Sequence, residues 1–146
     1  MSKFNLEGST FNDKHTGTFG KIGVYSFNGN KLLSTSGGGV IVTDDKEKAD
    51  KMRFLSTQAK DPMPFYHHTE IGYNYRMSNV LAAIGVGQME VIEDRVNKKR
   101  KIFEWYREEL SDIDVEFMPE LPGSCGNRWL TTLLFKEGVD IYKMID

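Results

Sequence analysis

The stretch Ile22-Gly23-Val24-Tyr25-Ser26-Phe27-Asn28-Gly29-Asn30-Lys31 is followed, after five residues, by Gly37-Gly38-Gly39-Val40-Ile41-Val42-Thr43. β-Branched and aromatic residues from Ile22 to Phe27, set between Gly20 and Gly29, predict a short buried strand. Gly39 to Thr43, apolar at its centre, predicts a second strand. The two flank a turn of small polar residues that ends on Lys31. Asp44 or Asp45 can cap a helix through Ala49, Met52, Phe54 and Leu55, whose spacing is roughly helical. Strand, turn, strand and helix in that order predict a mixed α/β architecture.

Further along, Pro62 and Pro64 interrupt helical periodicity between Thr57 and Tyr75. Phe65, Tyr66, Tyr73 and Tyr75 make that loop aromatic, and a loop of this kind binds or packs against something. Ser78 then caps a long helix in which Leu81, Ile84, Gln88, Met89, Ile92, Val96, Ile102, Phe103, Tyr106 and Leu110 follow a three-to-four spacing. Gly85 and Gly87 inside it each cost about 1 kcal/mol relative to alanine, so close approach of another backbone is expected there. After Pro119 and Pro122, Trp129 to Phe135 reads as a strand and Val139 to Ile145 as the start of a helix.

Composition narrows the function classes. The chain has 146 residues, 39% hydrophobic and 27% charged, enough for a domain with a sizeable core. A formal charge of -2 leaves no electrostatic footprint for nucleic acid. The basic run Lys98-Lys99-Arg100-Lys101 lies among Glu90, Glu93, Asp94 and Glu104, and reads as a salt-bridged, solvated helix face. A single cysteine, Cys125, excludes an intramolecular disulfide and a four-cysteine zinc site. No apolar run is long enough for a transmembrane helix, and Met1 to Gly8 lacks a signal-peptide core. The chain therefore reads as soluble and cytoplasmic, with no membrane partner.

Lys31 has two readings. It is a surface lysine in a β-turn, since Asn28-Gly29 and Asn30 are good turn formers. Or it is an amine for chemistry, because a lysine ammonium that loses hydration shifts toward the free amine, which attacks an aldehyde. The glycine run is a flexible turn, or a set of backbone amides open to an anion. His67-His68 with Glu70 gives weak support for a metal, as adjacent loop side chains rarely converge on one ion. Trp129, at the start of an apolar strand, reads as core.

Four ordered segments resemble one family. Gly17 to Lys31 (GTFGKIGVYSFNGNK), Thr35 to Gly39 (TSGGG), Glu70 to Asn79 (EIGYNYRMSN) and Asn127 to Thr131 (NRWLT) resemble the pyridoxal-phosphate-dependent sugar aminotransferases of the DegT/StrS type. The resemblance runs from about Gly8 to beyond Trp129. It implies a fold type I transferase, with residues 1–77 as the C-terminal part of the cofactor-binding large domain, 78–111 as a long connecting helix and 112–146 as the start of a small α+β domain. It implies the cofactor pyridoxal 5'-phosphate, with Lys31 forming the internal aldimine and shuttling the proton. Ser26 would hydrogen-bond the cofactor phosphate. Asn74 would reach across a homodimer interface to the partner's phosphate, with Arg76 near it. The implied reaction moves an amino group from glutamate to a nucleotide-linked keto sugar, for polysaccharide or glycan synthesis.

The chain also departs from the family pattern. Members are considerably longer, and an acidic-alanine motif precedes the glycine matched by Gly8; its aspartate pairs with the pyridinium nitrogen. Here Ser2-Lys3-Phe4-Asn5-Leu6-Glu7 stands in that place, and Glu7 is too close to Gly8 to match. The expectation is a fragment of an aminotransferase with little activity of its own. The alternatives are an inactive remnant that binds cofactor weakly or not at all, and a dimerisation module built on the aromatic loop and long helix.

Overall fold

A computed structural model of the chain describes residues 8–136 and 139–144. Two short strands, β1 (Thr10–Phe11) and β2 (Lys14–His15), form a hairpin near its start. The predicted strands on either side of the lysine turn follow as β3 (Gly23–Ser26) and β4 (Gly39–Val42), antiparallel in a register from Gly23↔Val42 to Ser26↔Gly39. The expected burial of the first holds for one face only. Tyr25 is buried, while Val24 is 69% exposed opposite an exposed Ile41. Period-two alternation sends these neighbours to opposite faces of the ribbon.

The glycine run closes the connection for steric reasons. Gly38 has φ +83°, a region open to glycine, and a Cβ at Gly39 would stand 2.4 Å from the Tyr25 carbonyl oxygen. Phe27 N–H donates to the Gly38 carbonyl at 3.0 Å, and Thr35 N–H to the Phe27 carbonyl at 3.0 Å. The segment from Phe27 to Gly38 is thus tied back onto β3.

Helix α1 (Lys46–Ser56) begins where an aspartate cap was expected. Asp45 is the residue used, accepting from Lys48 N–H at 3.1 Å. Its carboxyl also pairs with the Lys48 ammonium, and these contacts hold it below the usual aspartate range. The aromatic loop then returns along the helix end, through Tyr73 N–H to Leu55 (3.2 Å), Tyr75 N–H to Ser56 (3.0 Å) and a bridge between Thr57 and Asn74. Asp61 knots the loop. It accepts from Thr69 N–H (3.0 Å) and Thr69 Oγ1 (3.1 Å), and lies 2.7 Å from His67 Nδ1. Desolvation would raise its pKa, but the bonds from His67 and Thr69 together outweigh it and lower the carboxyl below its ordinary value. His68 and Glu70 turn elsewhere, to the Gln58 carbonyl and to Lys51. Among the described residues no group of three or more histidine, cysteine or acidic side chains is placed to hold a metal.

The long helix expected over 78–111 is two helices, α2 (Asn79–Met89) and α3 (Ile92–Glu109), broken at Glu90–Val91. Ser78 caps the first as expected, accepting from Leu81 N–H at 3.3 Å. The break coincides with tertiary hydrogen bonds made by Gln88 and Arg95, which hold the two helix ends to the segment after Lys31. Gly85 is indeed approached closely, but by a side chain: a Cβ there would meet Thr35 Cγ2 at 3.1 Å. Gly87 has nothing within 4 Å. Neither expected backbone approach is present.

One hydrophobic cluster, Tyr25, Phe27, Leu32, Leu33, Ile92 and Val96, joins β3 and the lysine turn to α3. The basic run is less solvated than its composition suggests. Lys98 pairs with Asp94 at 2.6 Å, but Arg100 donates to the Gly126 carbonyl (2.9 Å) and the Gly8 carbonyl (3.0 Å). Beyond α3, β5 (Val115–Phe117), β6 (Ser124–Cys125) and β7 (Leu133–Phe135) are short; β5 pairs with β7, and β6 adds to β1. The strand expected from Trp129 starts only at Leu133, because Arg128 has φ +51° and turns the chain ahead of it. The expected terminal helix is a 3-10 turn over Ile141–Met144, and Ile145 lies outside the described residues. No described helix is long and apolar enough to cross a membrane.

Leu33 is 1% exposed. Leu33→Ala is therefore expected to cost about 2–5 kcal/mol and lower the thermal midpoint by on the order of 10 °C, measured by circular dichroism. For Asp61 the sign follows from a depressed folded pKa: its stabilisation is present above the unfolded value, about 3.9, and is lost as pH falls through the folded one. In an NMR titration, the Thr69 amide should keep its native shift to below about pH 3.9. Asp61→Asn should abolish that acid transition.

Candidate active site

Lys31 ends a tight turn, its N–H donating to the Asn28 carbonyl at 3.0 Å. The two residues after it, Leu32 and Leu33, are buried, so the chain is fixed immediately beyond a half-buried lysine. Its Nζ lies over the Trp129 ring, 3.9 Å from the centroid, and the Trp129 indole N–H donates to the Asn30 carbonyl at 2.7 Å. No carboxylate lies within ion-pair reach of Lys31 among the described residues. A cation on an indole face is held by the ring quadrupole, which leaves the amine unpaired by any anion. Trp129 packs partly against the core, as expected, and in addition reaches the lysine turn.

Lys31 and Trp129 line an open cleft of about 350 Å³ together with Asn30, Arg95, Lys98 and Lys99. Four cations around one cleft, with an indole wall, favour an anionic ligand with a flat or apolar part. Ser26 is half-buried at the end of β3, five residues before the lysine, and its Oγ accepts from Asn28 N–H at 3.3 Å. No described acceptor takes the Ser26 hydroxyl proton, so that donor remains open. Asn74 and Arg76 are exposed, beside the end of α1, and line no part of the lysine cleft. The structure thus groups Lys31 with Trp129, while Asn74 and Arg76 face outward from a separate segment.

Taken singly, these residues suit parts of pyridoxal phosphate, although neither Ser26 nor Arg76 lines the lysine cleft. An unpaired amine suits an aldehyde, an open hydroxyl suits a phosphate oxygen, and the exposed guanidinium of Arg76 suits an anion presented from outside the chain. Sequence reasoning missed Gln88 and Arg95, both of which bond to the backbone just after Lys31. It read Gln88 only as one position in a helical stripe. A polar amide within an otherwise apolar stripe was the available signal.

Comparisons with known proteins bear on the family of the chain. The model of the DegT/DnrJ/EryC1/StrS aminotransferase family matches residues 7–143. EpsN of Bacillus subtilis (strain 168) is 48% identical over 139 residues, covering 94% of this chain and 36% of its own length. The GDP-perosamine synthase of Vibrio cholerae is 35% identical over 136 residues, 93% of this chain and 37% of that protein. Among solved structures, the aminotransferase TlmJ from Streptoalloteichus hindustanus superposes with a TM-score of 0.82 at 27% identity, over 88% of this chain and 36% of that one. The E. coli GDP-4-keto-6-deoxy-D-mannose-3-dehydratase with bound hydrated pyridoxal phosphate gives 0.83 at 25% identity, over 94% and 40%. The chain thus spans a little over a third of the length of these relatives, and its mixed α/β structure is part of the fold type I architecture they share. With the family model matched along almost its whole length, this chain belongs to the DegT/DnrJ/EryC1/StrS aminotransferase family.

Proposed function

We propose that the chain carries the lysine-bearing part of a pyridoxal-phosphate-dependent aminotransferase, which moves an amino group from glutamate to a nucleotide-linked keto sugar in polysaccharide or glycan synthesis. The observation that carries this reading is Lys31: a half-buried amine with no carboxylate partner, on a turn fixed by core residues, facing a cationic cleft. Named relatives of the chain support the substrate class, since GDP-perosamine synthases and a UDP-amino-sugar transaminase of Campylobacter jejuni are among them.

In this reading residues 1–77 belong to the large domain, 78–111 connect the two domains, and 112–146 begin the small one. Pyridoxal phosphate, when bound, supplies the electron sink for amino transfer. Lys31 would hold the cofactor through its Nζ amine, and the same amine would move a proton at the substrate carbon. The Ser26 hydroxyl donates to the phosphate. Asn74 and Arg76, outward-facing on their own chain, serve the phosphate of a second subunit in a homodimer. The cationic cleft holds the negatively charged end of the sugar nucleotide. The single cysteine, exposed and free, suits a reducing cytoplasm.

A second reading is a chain that pairs with a partner without turning over. It is favoured by the stacked rings of Tyr73 and Tyr75, whose centroids are 5.3 Å apart and which are 58% and 76% exposed.

Borohydride reduction after incubation with pyridoxal phosphate should label Lys31, located by peptide mass spectrometry. Lys31→Ala should lose that label, and equal labelling of this variant would sink the assignment. A separate assay with a keto-sugar nucleotide and glutamate follows: label with turnover supports the transferase, and label without it supports an inactive remnant.

A further inference from the structure

Gln88 stands in the last turn of α2, half-buried and 54 residues from Ser34 in sequence. Its side-chain amide makes a two-way contact with the Ser34 backbone: Oε1 accepts from Ser34 N–H at 3.0 Å, and Nε2 donates to the Ser34 carbonyl at 2.5 Å. Arg95, on the far side of the helix break, donates to Gln88 Oε1 at 2.7 Å and to the Leu32 carbonyl at 3.1 Å. These four bonds fasten the first and third residues after Lys31. A primary amide offers, at one side-chain tip, an oxygen that accepts from two donors and an NH2 that donates to a carbonyl.

We propose that Gln88, braced by Arg95, is a positioning residue for Lys31. Burial of Leu32 and Leu33 sets the depth of the segment. It is non-directional; direction comes from hydrogen bonds, among them Thr35 N–H to the Phe27 carbonyl at 3.0 Å. The amide contact is directional and fixes the peptide plane at Ser34, and through it the heading from which the Lys31 side chain leaves. Small errors in such a heading are costly to amine chemistry, since misplacement by about 1 Å can cost on the order of 100-fold in rate. The inference rests on Lys31 being the cofactor-bearing amine.

The test uses the purified full chain and pyridoxal phosphate as the probe. The amine condenses with the aldehyde with loss of water, borohydride supplies the hydride, and labelling rates are read at separate peptides. Lys14 and Lys60 serve as references, because each also lies over an aromatic ring, Phe19 and Tyr66. Wild type should label Lys31 fastest. Gln88→Met keeps length and helix propensity but removes all three amide bonds, and should slow Lys31 about tenfold while Lys14 and Lys60 keep their rates. Gln88→Glu retains acceptance from Ser34 N–H and Arg95 but cannot donate to the Ser34 carbonyl, and should recover part of the loss. An unchanged Lys31 rate in Gln88→Met overturns the proposal, and so does an equal change at all three lysines. Should Gln88→Met fail to fold by circular dichroism, Gln88→Glu decides: an intermediate Lys31 rate supports positioning, and a wild-type rate overturns it. Absence of Lys31 preference in wild type is a different failure, that of the Lys31 assignment itself.

Discussion

The burial of Leu32 and Leu33 against Ile92 and Val96 is the constraint on which the rest of the structure depends. It sets a charged residue directly before two core residues, so Lys31 can neither drift into solvent nor sink into the interior. Each apolar side chain of this size contributes about 1.5–3 kcal/mol on burial, more than a solvated lysine turn would gain from its own hydrogen bonds. The cluster also unites distant parts of the chain. Tyr25 and Phe27 come from β3 and its end, Ile92 and Val96 from α3, and Trp129 packs against them from beyond β6. The lysine turn is therefore where the ribbon, the helix pair and the last third of the chain meet.

Polar contacts then add direction to what burial holds only in place. Thr35, 1% exposed, donates its hydroxyl to the Gly37 carbonyl at 2.6 Å and its N–H to Phe27. Trp129 bonds to Asn30, and Gln88 and Arg95 bond to Leu32 and Ser34. Most surface cations in the helices, by contrast, pair locally with carboxylates three or four residues away, contacts worth about 0.3–0.5 kcal/mol each. Lys31 has an indole rather than a carboxylate beneath it, as exposed Lys101 has Trp105, but Lys31 is half-buried on a turn fixed by core residues. Its amine is open to a reaction partner from that fixed position.

Features set by local chemistry were legible in the sequence. The two strands around Lys31, the aspartate cap of α1 and the serine cap of α2 lie within about a residue of where side-chain types place them, because each depends on neighbours only a few positions away. The ordered motifs around Lys31 and Asn74 also pointed to the family that the comparisons establish. Features set by distant contacts were not legible. Three-to-four spacing continues through Glu90 and Val91, so nothing local announces the break there, which coincides with bonds from Gln88 and Arg95 to Ser34 and Leu32. The strand expected from Trp129 starts late, at Leu133, after a positive φ at Arg128 that no residue type there signals. The basic run looked uniformly solvated, yet Arg100 alone turns inward to two carbonyls whose positions depend on the whole fold.

The central claim is that the open amine on the Trp129 face is the point of cofactor attachment. A crystal structure of the chain soaked with pyridoxal phosphate tests it most directly. The account predicts continuous electron density from Lys31 Nζ to the cofactor's aldehyde carbon, with the side chain lifted from the Trp129 ring. Density joining the cofactor to another lysine, with Lys31 still resting on Trp129, would contradict it.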